Sequence, residues 1–161
     1  MRKVVLVLVL AITLMASWGV ATAQQQTAWV AYLSGAEAVP RTASRGTGMA
    51  SFEINAARTG IAYYLSVGDI QNVQMAHIHI GAPGIAGPVA VWLYPAAPPP
   101  VLLQGAVSGM IGQGTFTAAN FTGPLAGQQM SALLNAIAAG NAYVNVHTTA
   151  NPGGEIRGLV R

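Results

Sequence analysis

Along most of this chain apolar and polar side chains alternate, the period of a strand with one face packed and one face wet. Residues 29–33 open this pattern. In residues 48–55, Met49, Ser51 and Glu53 fall on one side, and Ala50, Phe52 and Ile54 fall on the other. The turn at 56–60 returns the chain into 61–67, which predicts an antiparallel hairpin. Further strands are predicted at 75–80, 89–94, 104–111, 113–117, 142–148 and 155–160, the last pair joined by a turn over 149–154. The glycine- and proline-rich stretches 81–88 and 95–100 read as loops. Between 125 and 139 the period changes. Met130, Leu133, Leu134 and Ile137 lie three and four apart, as on one helix face, and Gly140 stands where a helix stops. The expected fold is all-β, an immunoglobulin-like or Greek-key sandwich or barrel of about eight strands, with one short helix near 125–139.

Two of these strands hold every histidine of the chain, His77, His79 and His147. Residues two apart on a strand share a face, so His77 and His79 project together, and His147 shares a face with Tyr143 and Asn145. If the two strands are neighbours, three imidazoles converge.

The start of the chain follows other rules. Arg2 and Lys3 precede an apolar run from Val4 to Met15, and Ala21-Thr22-Ala23 is a small-x-small cleavage signal. This order predicts a signal peptide over 1–23, a domain over 24–161, and a secreted or periplasmic protein. The run is shorter than the ~20 residues a spanning helix needs, so no stable membrane insertion is expected once the leader is cut. Without Arg2 and Lys3 the charge balance falls to five basic against four acidic side chains. No Lys/Arg stripe remains to meet a phosphate backbone, so nucleic acid is not an expected partner. With no cysteine in the chain, disulfides and thiolate ligands are excluded, and any metal must be held by nitrogen and oxygen.

Three blocks carry a family resemblance. They are residues 33–40, the Ala76-His77-Ile78-His79 run with Gly81 and Gly87-Pro88-Val89, and residues 143–148 followed by 151–158. Together these resemble the CHRD domain, named for chordin and also found as a stand-alone secreted domain in many bacterial proteins. The resemblance spans roughly 28–161, with the closing block its most specific part. It implies an all-β, immunoglobulin-like or barrel-like domain and no established catalysis. In chordin the setting is extracellular binding of growth factors. One departure stands out: where the family pattern has a glutamate before Val-Pro, this chain has Ala38, and its acid, Glu37, comes one residue earlier.

The chemistry on offer is narrow. Three imidazoles can hold copper or zinc, leaving a coordination position open. Glu155 offers itself as a fourth ligand or as a partner that orients a histidine. Alternatively the three histidines are structural, tying the two motif strands to their loops by hydrogen bonds. Glu155 and Arg157, two apart, are placed to pair with each other or with a loop. No serine sits in a strand-to-helix elbow and no Ser-His-Asp order stands out, so the chain is not expected to be an enzyme. Tyr63, Tyr64, Trp92, Tyr94 and Tyr143 read as packing residues. The function expected first is a non-catalytic extracellular binding or structural module, with a protein or polysaccharide as partner. The alternative is a copper or zinc protein using His77, His79 and His147.

Overall fold

A computed structural model of the chain describes residues 25–161. The predicted signal peptide lies outside the described residues. Seven strands form one sheet: β1 (Ala28–Ser34), β2 (Thr47–Ile54), β3 (Gly60–Ile80), β4 (Val89–Tyr94), β5 (Leu103–Thr117), β6 (Ala142–Thr148) and β7 (Ile156–Leu159). Pairings run β3–β2–β1–β7–β6 and back to β3, which closes the sheet into a barrel, and β4 and β5 both add to β3. Every pairing is antiparallel.

The predicted strands are present, but two pairs of them are fused. Segments 61–67 and 75–80 are both parts of β3, and segments 104–111 and 113–117 are both parts of β5. In β3 the polar stretch between the two halves is a bulge rather than a loop. Asp69 (φ 53°) and Asn72 (φ 51°) adopt left-handed backbone, and the pairing with β5 shifts register there. Extra residues at a bulge bend a strand without ending it. This lets one strand pair with β2 and β5 first, then with β6 and β4.

Leu65, Ile78, Val144, Val146 and Ile156 fill the barrel and are fully buried. Each such aliphatic side chain contributes about 1.5–3 kcal/mol by leaving water. The helix α1 (Met130–Ala138) buries Met130, Leu133 and Ile137 against this core, as the spacing predicted, and Gly140 (φ 70°) follows its end. It starts later than residue 125, because Gly123–Leu125 winds as a 3-10 turn with a proline in its first turn. Among the described residues no helix is long and apolar enough to cross a membrane.

On β6 the alternation of the sequence does not become alternation of exposure. All seven residues are buried. Ala142, Val144 and Val146 face the core, while Tyr143, Asn145 and His147 face outward under two loops, 81–88 and 149–154. A polar strand face buried on the outside of a barrel needs partners for every polar group.

Candidate metal centre

β3 and β6 lie side by side, with Met75 opposite His147, His77 opposite Asn145 and His79 opposite Tyr143. Ile78 points into the core, so His77 and His79 project from the outer face together. His147 leans back along β6 to meet both. His77 Nδ1 lies 3.3 Å from His147 Nε2, and His79 Nε2 lies 3.4 Å from the same atom. One nitrogen from each ring falls within 4.8 Å of the others. His77, His79 and His147 are 1%, 6% and 5% exposed.

The outer ring atoms fix the tautomers. His79 Nδ1 is 2.9 Å from the Gly87 carbonyl oxygen, and His147 Nδ1 is 2.9 Å from that of Pro152. A carbonyl only accepts, so each Nδ1 carries the proton and donates it. Each Nε2 is then a bare lone pair, and the two lone pairs face one another. His77 cannot satisfy both. If its Nδ1 donates to His147, then His79 Nε2 lacks a donor and His77 Nε2, which is buried and has no partner, is an orphaned acceptor. If its Nε2 carries the proton, three lone pairs converge. One cation at the centre would resolve the arrangement. With metal–nitrogen bonds of about 2.0–2.1 Å, a tetrahedral site has nitrogen–nitrogen edges of about 3.3–3.4 Å; the two separations to His147 Nε2 fall at that length.

Electrostatics favours the neutral rings that a metal requires. Burial, then the proximity of His147 and His79, pushes His77 down to about 3. His79 is pushed down to about 4, by burial first, with His147 and Arg157 adding to it and the Gly87 carbonyl opposing. His147 is lowered by burial against the opposing pull of the Pro152 carbonyl.

The surrounding side chains hold the rings in place. Tyr143 stacks on His79, centroids 5.1 Å apart and planes 12° apart, and its hydroxyl accepts from the Gly87 N–H at 2.8 Å. Trp92 meets His77 in a T-shaped contact at 4.2 Å. The Arg157 guanidinium carbon sits 3.4 Å from the Tyr143 ring centroid, and Arg157 donates to the Ile85 and Ala82 carbonyls. Asn145 donates to the Gly153 carbonyl at 3.1 Å, while its Oδ1 is buried without a partner.

The CHRD-domain family model matches residues 29–160. The chain belongs to the CHRD family. No curated protein and no solved structure matches it. The match runs through both strands of the triad and both loops over it, so the histidines sit within the CHRD domain proper.

Among the residues singled out in the sequence, the three histidines of this CHRD domain come together. Glu155 does not join them. Its carboxylate accepts from Ser44 Oγ and Thr148 Oγ1, each at 2.6 Å, and from Asn151 Nδ2 at 3.0 Å. Of the two arrangements expected for Glu155 and Arg157, pairing with each other does not form, and Arg157 instead bonds a loop, 81–88. Residues 35–37 form a 3-10 turn, after which Ala38 is extended and buried, while Glu37 stays exposed. Sequence reasoning missed Arg157 and Tyr143 as supports of the site, along with the carbonyls of Gly87 and Pro152. The signal was present in the closing block, where a lone arginine follows a histidine strand in an almost charge-free chain.

Proposed function

We propose that this CHRD domain works outside the cytoplasm as a non-catalytic module that holds one copper or zinc ion between His77, His79 and His147. The observation that carries this reading is the pair of facing Nε2 lone pairs on His79 and His147, each set by a backbone carbonyl on the far side of its ring. Metal-bound histidines are commonly oriented in this way, by an acceptor on the second ring nitrogen. The donor set is three neutral imidazoles with no thiolate, which suits zinc and copper and excludes no oxidation state of copper. Near-complete burial of the three histidines supports a non-catalytic role, because it limits a substrate's access to the ion. The leader pattern in the sequence supports an exported setting.

The test is metal content and affinity of the purified protein without a histidine tag, by mass spectrometry and calorimetry, beside His147→Ala. One equivalent of copper or zinc, lost in the variant, supports the site. No stoichiometric metal, with a variant that is merely less stable, makes the histidines part of the scaffold.

A further inference from the structure

The face of the barrel carried by β1, β2, β3 and β5 is covered by nothing among the described residues. Its register places Tyr32, Met49, Ser66 and Met110 in one row across the four strands. The next row holds Val30, Ser51, Tyr64 and Gln113. Neither row contains a charged side chain. Tyr32 is 74% exposed, and Tyr64, Met49 and Met110 are also exposed, so most of the large apolar side chains left in water among the described residues lie on this one surface. Exposed apolar side chains gathered this way mark an interaction site.

The β1 margin of the face has a built feature. A cavity of about 380 Å³ opens there, lined by Val30, Tyr32, Glu37, Leu159 and Arg161. It combines an aromatic platform, an apolar floor, a carboxylate and a guanidinium. This is the chemistry of a pyranose ring, whose C–H face packs on an aromatic and whose neighbouring hydroxyls pair with a carboxylate and with the donors of a guanidinium. Beyond the cavity the face offers hydroxyls and an amide, from Ser51, Ser66 and Gln113, but no charge. A polyanion or polycation finds no complement on either row, whereas a neutral polymer of hydroxyls does. Strand spacing and rise place Tyr64 about 12 Å from Tyr32, two strands across and two residues along, so a second platform lies within reach of the same oligosaccharide.

We infer that this surface is a binding site for a neutral polysaccharide, with one pyranose seated in the cavity against Tyr32 between Glu37 and Arg161, and the chain continuing toward Tyr64. This site is on a different face from the histidine triad and does not depend on a bound metal.

The test is depletion of the purified protein from solution by insoluble neutral polysaccharides: cellulose, chitin, starch and a β-1,3-glucan. A charged polysaccharide, alginate, serves as comparison. The expected result is retention on at least one neutral polymer, undiminished by a chelator. Tyr32→Ala should weaken retention about tenfold or more, and Glu37→Gln should weaken it as well. Both residues are exposed, so unchanged thermal melts show that the variants fold. Retention on none of the neutral polymers, or equal retention of wild type and both variants, overturns the inference. So does a dimer in sedimentation that Tyr32→Ala abolishes, since the face then belongs to a second copy of the chain.

Discussion

Arg157 lies over the ring of Tyr143 with its guanidinium carbon 3.4 Å from the ring centroid, and the same ring stacks on His79. Arg157 is buried yet bonds only backbone oxygens of the 81–88 loop, Ile85 at 2.9 Å and Ala82 at 3.5 Å. It therefore fixes the loop that carries the Gly87 carbonyl, and through it the tautomer of His79. Arg157→Met keeps the apolar stem but loses the cation–π contact and the loop bonds. The expected cost is about 1–3 kcal/mol of stability, read by denaturant unfolding. Bound metal should also leave faster, read by competition with a chelator.

The closing hairpin is equally constrained. Gly154 has φ 120°, and a Cβ there would run into the side chain of Asn145. Gly154→Ala therefore forces both a disfavoured backbone and a displaced turn, and that turn carries the Pro152 carbonyl which orients His147. A loss of about 1–3 kcal/mol is expected from the strain alone. Because the turn moves, metal affinity should fall as well, measured by calorimetry at a temperature where the variant is folded.

Glu155 gives the fold a pH dependence separate from the triad. Burial acts to raise its pKa, but bonds from Ser44, Thr148 and Asn151 together hold it below the ordinary value of 4.5. A carboxyl depressed in the folded state stabilises above its unfolded pKa, and that stability is lost as pH falls through the folded value. Thermal melts of the wild type should therefore drop as pH falls below about 4.5. Glu155→Gln should be less stable than wild type at pH 7, with the difference shrinking in acid. A constant difference across that range would mean that the carboxylate charge is not what these bonds recognise.

If the folded chain alone presents the three nitrogens together, metal stabilises it by mass action. A free ion concentration near 100 times Kd adds about 2.7 kcal/mol. Calorimetric melting with and without zinc should show this shift in the wild type, and His77→Ala should show none.

Much of this architecture was legible because its period is simple. The paired strand faces around His77 and His147 follow from alternation, and Met130, Leu133 and Ile137 follow from helical spacing. The fusion of the two halves of β3 was not legible, because Asp69 and Asn72 are turn-forming residues whose left-handed backbone here bends a strand instead of ending it. Glu155 was misplaced for a different reason. Just ahead of β7 it has a strand neighbour's spacing from Arg157, but the Ser44 hydroxyl, more than a hundred residues away in sequence, claims its carboxylate. Burial of the outer face of β6 depends on where two loops fold, and the alternation of Tyr143, Asn145 and His147 carries no record of what covers them.

The central claim is that His77, His79 and His147 share one ion. X-ray absorption of the zinc-loaded protein tests it most directly. The account predicts three imidazole nitrogens at about 2.0–2.1 Å, and loss of that shell in His147→Ala. An oxygen-dominated shell, or a spectrum the same in wild type and variant, would contradict it.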